Sequence, residues 1–256
     1  MFIECTLSGN RIFCLSDLHI NAERLDFFKG LLKNLEADAI LLLGDISDQG
    51  ETHLVIDELQ KGLKIPIYYV MGNHDFYGQW IDLVRNKAKS ENYLTKRSEP
   101  IYLSSSTCLI GHDGWADGRE GDFFTSKIIV RDSFEIMDFK GRSIAERFEK
   151  INELADESVE HMQEQLQHAK QAGVETVFIA THVPPFIEAC LWEGEIADKN
   201  WAPHFASKAM GDMLRAFFLE NRHMKGEVLA GHTHTRAHVQ ILPNLEIFVL
   251  QPGDQT

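Results

Sequence analysis

Short apolar runs alternate with amphipathic stretches from the start of the chain. Ile12 to Ser16 and Ala39 to Leu43 are almost continuously apolar, the pattern of strands buried on both faces. Between them Leu25, Phe28, Leu31, Leu32 and Leu35 recur at helical intervals, predicting a helix over Arg24 to Leu35. Glu51 to Lys61 predicts a second helix, and Ile65 to Met71 a third strand. Strand, helix and strand at this spacing argue for parallel strands joined by crossovers, an α/β fold.

The second half continues the pattern less regularly. Ser104 to Ile110, Thr176 to Ala180, Glu227 to Ala230 and Leu245 to Leu250 read as strands. Ser143 to Ala172 reads as one long charged helix with Gly173 as its C-terminal cap. Gly111 to Lys140 and Ile187 to Phe205 hold no sustained period and are expected to be loops or lids. No linker divides residues 1–256, so a single domain is expected.

A formal net charge of −14 argues against a general grip on nucleic-acid backbone, which needs clustered Lys and Arg. Cys5, Cys14, Cys108 and Cys190 are scattered, without a C-x-x-C pair, which favours reduced thiols over a disulfide framework. Met1 to Cys5 does not read as a secretory leader, and no apolar run approaches the ~20 residues of a membrane span. The expectation is a soluble cytoplasmic protein.

Five of the apolar runs end in a polar motif. Asp17-Leu18-His19, Gly44-Asp45, Gly72-Asn73-His74-Asp75, Thr181-His182 and Gly231-His232-Thr233-His234 each stand just after such a run. In open α/β sheets that edge is where loops converge and ligands bind. In an extended segment residues i and i+2 point the same way, so Asp17 with His19, and His232 with His234, can face one cavity. Carboxylate, imidazole and amide donors suit Mn, Fe or Zn better than a thiolate-selected metal. Two divalent cations carry about +4 and Asp17 with Asp45 return about −2, leaving a centre that attracts phosphate and acidifies bound water.

These five motifs, in this order, resemble the calcineurin-like metallophosphoesterases. The resemblance implies a four-layer αββα sandwich with two central mixed sheets and two metal ions at the strand ends. It implies that Asp17, His19, Asp45 and His234 hold one ion, with Asp45 bridging to a second completed by Asn73, His182 and His232. His74 would face the substrate rather than a metal, oriented by Asp48 in Gly44-Asp45-Ile46-Ser47-Asp48. The implied chemistry is in-line attack by a metal-bridging hydroxide on a phosphomonoester or phosphodiester, with small phosphorylated metabolites or nucleotides as substrates. One departure stands out: Gln49 occupies the place where Ser/Thr protein phosphatases of the superfamily carry a phosphate-gripping arginine.

Arg119 and His112 are candidate substrate contacts from the first irregular segment. Asp75 is expected to cap or support locally. His53, His161, His168 and His223 are expected at the surface, and His238 in a structural role. Trp115 and Trp201 are expected either to cover core or to stack on a substrate ring. The rival functions are a catalytically silent scaffold, which would be expected to have lost ligands or His74, and a nuclease, which the charge opposes.

Overall fold

The computed structural model describes residues 3–7 and 10–252; the C-terminal Thr256 lies outside them. The strands are β1 (Ile3–Leu7), β2 (Asn10–Leu15), β3 (Ala39–Leu43), β4 (Ile67–Val70), β5 (Ile101–Tyr102), β6 (Thr107–Gly111), β7 (Thr176–Ala180), β8 (Leu191–Trp192), β9 (Glu195–Ile196), β10 (Lys225–Ala230), β11 (Ala237–Leu242) and β12 (Leu245–Val249). The helices are α1 (Ala22–Lys33), α2 (Thr52–Gln60), α3 (Ile81–Lys87), α4 (Asp132–Glu135), α5 (Ile144–Gln171), α6 (Ala202–Phe205) and α7 (Lys208–Glu220).

Two sheets form the centre. One has the order β1-β2-β3-β4, with β2, β3 and β4 parallel and β1 antiparallel at the edge. The other runs β11-β12-β10-β7-β6-β5, parallel through its four inner strands and antiparallel at both edges. The fold is the mixed α/β class expected.

Side-chain alternation explains how the sheets pack. Ile12, Cys14, Leu41, Leu43 and Val70 from the first sheet share one apolar cluster with Leu109, Phe178, Ala180 and Leu229 from the second. The alternate residues Phe13, Leu15, Ile40 and Leu42 join Phe28, Leu32, Ile56 and Leu59 of α1 and α2. On the far side Val177, Ile179, Val228 and Ile247 meet Met162, Leu166, Met210, Leu214 and Phe218 of α5 and α7. The order is therefore helices, sheet, sheet, helices. Each fully buried Leu, Ile or Phe contributes roughly 1.5–3 kcal/mol.

Helix α5 begins where its chemistry dictates. Ser143 Oγ accepts from the Glu146 N–H and the Glu146 carboxylate accepts from the Ser143 N–H, a reciprocal cap. Gly173, just past the end, adopts φ +73°, a conformation only glycine takes without cost. The two irregular segments are not free flaps. Ile136 and Phe139 of the first are buried in the core, and in the second Trp201 stacks with both Trp192 and Phe205. Cys14, Cys108 and Cys190 are free thiols and buried. Among the described residues no helix is long and apolar enough to cross a membrane.

Candidate metal centre

Residues Asp17, Asp45, Asn73, His182 and His232 all stand within a few residues of the carboxyl ends of β2, β3, β4, β7 and β10. Backbone hydrogen bonds continue the sheets into these loops. The Asp17 and His19 amides donate to Gly44 O at 3.1 Å and Asp45 O at 2.9 Å, and the Gly231 amide to His182 O at 2.9 Å. Five residues of the set pay for this in backbone strain: Asp17, His19, Asp45, His232 and His234 have φ between +45° and +73°. Non-glycine residues rarely adopt that region, and strain of this kind gathers at functional sites.

The motif glycines are explained by space. A Cβ on Gly72 would collide with the Asp45 carboxylate and backbone nitrogen, and one on Gly44 would sit 2.5 Å from His182 Nδ1. A Cβ on Gly231 would overlap Ser16 Oγ and lie 2.6 Å from Asp17 Oδ2. Gly231→Ala is therefore expected to displace Asp17 and weaken metal binding by about 10–100-fold, measured by metal titration with circular dichroism as the check on folding. Unchanged affinity would remove Asp17 from the ligand set.

The donor atoms converge. Asp17, His19, Asp45 and His234 each offer an atom within 4.8 Å of the others. His234 Nε2 lies 3.2 Å from Asp17 Oδ1, and His19 Nε2 lies 3.9 Å from Asp45 Oδ2. The other oxygen of Asp45, Oδ1, faces His182 Nε2 at 3.4 Å. Asp45 thus presents one oxygen to each side.

The tautomers are set from behind. His182 Nδ1–H donates to Leu43 O at 2.8 Å and His232 Nε2–H to His204 O at 2.8 Å. The other ring nitrogen of each is then the one left to face an ion, the arrangement metal-binding histidines show. Asn73 Nδ2 donates to Asp132 Oδ1 at 2.8 Å, which turns Asn73 Oδ1 toward His182 Nε2, 3.2 Å away. Asn73 Oδ1 and Asp45 Oδ1 therefore both face His182 Nε2. Such a group is favourable only around a proton or a cation, so the donor set fits a divalent ion.

The electrostatics agree. Burial pushes the Asp17 and Asp45 carboxyls up, but His182, His234 and their neighbours hold both below the usual range. Burial is the largest single influence and depresses His182, yet the charge and hydrogen bond of Asp45, the charge of Asp17 and the hydrogen bond to Leu43 O together outweigh it and push the imidazole up to about 10. A strongly negative buried pocket of this kind calls for positive charge.

His74 stands beside this group. Its Nδ1–H donates to Asp48 Oδ1 at 3.0 Å, and its Nε2 lies 4.0 Å from Asp45 Oδ2. Asp48 also accepts from His19 Nδ1 at 3.4 Å, so His19, Asp48 and His74 form a second, more open cluster. Asp75 is buried and accepts from the Ile46, Ser47 and Gly72 amides and from Thr52 Oγ1. It ties the loop after β3 to the loop after β4.

Residues 10–236 match the family model for calcineurin-like phosphoesterases. The chain belongs to that family. It is a phosphoesterase, a hydrolase of phosphoric esters, and the family works through a dimetal centre. Solved structures agree on the fold. A dimetal phosphatase from Danio rerio superposes with TM-score 0.58 at 13% identity, covering 94% of this chain and 87% of that one. Phosphopantetheinyl hydrolase from Mycobacterium tuberculosis gives TM-score 0.62 at 12% identity, covering 94% and 89%. A Thermus thermophilus protein gives TM-score 0.51 at 14% identity, covering 95% and 89%. No curated protein matches.

Two expected substrate contacts of the phosphoesterase lie elsewhere. Arg119 is held by both oxygens of Asp156, at 2.6 and 2.8 Å, with Asp117 nearby, and does not line the cavity beside the site. His112 is buried against His161, ring centroids 5.0 Å apart, and burial holds its imidazole well below the ordinary range. His161 is accordingly half-buried, not at the surface as its helical spacing suggested. Asp132 and Arg147 are functional candidates that sequence reasoning passed over. Asp132 sets the Asn73 amide and also accepts from Tyr77 OH at 2.8 Å. Arg147 lines the cavity next to Asn73 and His232. No local motif marks either residue.

Proposed function

We propose that this phosphoesterase hydrolyses small phosphorylated molecules, mono- or diesters, by in-line displacement at the site around Asp45. Asp17, His19, Asp45 and His234 would hold one ion, and Asp45, Asn73, His182 and His232 the other. Their oxygen and nitrogen donors suit Mn, Fe or Zn. Bound there, such ions supply Lewis acidity and a water of lowered pKa. The observation that carries the reading is the placement of Asp45, with one oxygen toward His182, the other toward His19, and His74 Nε2 alongside.

The chain's own residues complete the chemistry. Asp48 accepts from Nδ1 of His74, which fixes the ring and leaves Nε2 toward the reacting phosphoryl group. From there Nε2–H stabilises a phosphoryl oxygen and then protonates the departing alkoxide. Asp132 keeps the Asn73 oxygen turned inward. The three buried free thiols support a reducing, cytoplasmic setting. The formal charge of −14 disfavours polynucleotide substrates.

The test is hydrolysis of an aryl phosphomonoester and the matching diester by metal-stripped protein, then with Mn, Fe or Zn restored. Chelation is expected to remove at least about 99% of turnover, and one of the metals to restore it. The preferred ester then names the subclass. Turnover that survives complete metal removal would overturn the reading.

A further inference from the structure

Beside the candidate metal centre lies a cavity of about 150 Å³, and its lining is unlike the centre itself. Asn73 and His232 form one wall, so the cavity opens directly onto the proposed ligands. Most of the remaining lining is apolar, with Phe123, Ile128, Phe139, Ile144 and Val183 among it. These come from both irregular segments or adjoin them, which gives those segments a concrete role. Its volume suits a group about the size of a benzene ring.

Two polar groups in the lining lack partners. The Trp115 indole N–H is buried and bonds to nothing among the described residues, although most buried indoles find an acceptor. The Arg147 guanidinium is half-buried and makes no ion pair among the described residues, unlike Arg85, Arg119 and Arg215, which are all paired. An apolar space that also offers an unused cation is built for a ligand, not for core packing. Its shape and chemistry exclude a heavily hydroxylated group, whose oxygens would be stripped of water against isoleucine and phenylalanine.

We propose that this cavity receives the organic part of the substrate, and that the enzyme selects phosphoesters of compact aromatic or branched-alkyl alcohols. Arg147 offsets the ester's negative charge. The inference rests on the hydrolase function proposed for the metal centre and adds the substrate class to it. Ala116 also lines the cavity and is half-buried, so a larger side chain there would fill the space.

The experiment compares benzyl phosphate with 2-hydroxyethyl phosphate, each as the monoester and the methyl diester, on metal-loaded protein. Both release primary alcohols, so the comparison is weighted toward binding of the organic group. In the preferred ester class kcat/KM is expected to be at least about tenfold higher for the benzyl compound, the discrimination an apolar pocket supplies. Ala116→Phe is expected to reduce that ratio at least about fivefold. Benzylphosphonate should also inhibit the unaltered enzyme more strongly than hydroxymethylphosphonate. Equal efficiency for the two esters, with robust turnover of both, overturns the cavity inference and leaves the hydrolase function standing. No turnover of any ester under any metal overturns both.

Discussion

His74→Ala is expected to lower kcat by about 10²–10⁴-fold while metal content stays at the parent level. The expectation comes from position: Nε2 lies 4.0 Å from Asp45 Oδ2, whereas Nδ1 is occupied by Asp48. His74 can reach a phosphoryl oxygen or leaving group without serving as a ligand. The pH profile gives a finer check. Burial depresses the His74 pKa, but the Asp48 hydrogen bond and the charges of Asp45 and Asp48 outweigh it and raise the value. A general acid works while protonated, so activity should fall as pH rises through that raised pKa. Asp48→Asn removes the support and should move this alkaline limb to lower pH. Equal metal content with unchanged kcat in His74→Ala would falsify the assignment.

Asp113→Ala is expected to destabilise the fold by about 3–5 kcal/mol, seen as a Tm lowered by roughly 10 °C or more. Asp113 is fully buried and receives Arg85 Nε at 3.0 Å, Tyr93 OH at 2.6 Å, Thr95 Oγ1 at 2.7 Å and the Met71 amide at 2.8 Å. Its own backbone oxygen accepts from the His182 amide at 2.9 Å. Met71 belongs to the loop that carries Asn73, so one carboxylate joins the ends of both sheets just behind the ligands. Removal leaves the Arg85 guanidinium buried without its one buried counter-ion, since Glu157 is exposed. Because the same loops carry Asn73 and His182, metal affinity should fall with stability in this variant. A Tm within a degree or two of the parent would show that the network is dispensable.

The central strands and the motifs of the candidate site were legible because both are local. Ala39–Leu43 and Thr176–Ala180 are buried on both faces, so burial shows as an unbroken apolar run, and the polar motif after each run marks the strand end. Helix α5 was legible from its long charged run and from Gly173 just past its end. Helix α7 went unread. Met210, Leu214, Phe217 and Phe218 have core spacing, but Gly211 interrupts the run and no side chain caps its start. The functional part of the irregular segments was illegible for a different reason. Asp132 meets Asn73 across 59 residues and Arg119 meets Asp156 across 37, and no local pattern encodes such pairings. Arg119 looked available in its glycine-rich turn; only the packing of α5 against that turn assigns it to Asp156.

The left-handed backbone at Asp17, His19, Asp45, His232 and His234 bears on how such a chain changes over generations. Each position carries roughly 1–2 kcal/mol of conformational cost, which asparagine tolerates better than histidine does. Stripped of metal, His19→Asn should therefore melt no lower than the parent, and differential scanning calorimetry can check this. Drift that sheds the ligands would then meet little thermodynamic resistance once hydrolysis ceased to matter to the cell. A lineage relieved of that duty would keep the sandwich and lose the histidines first.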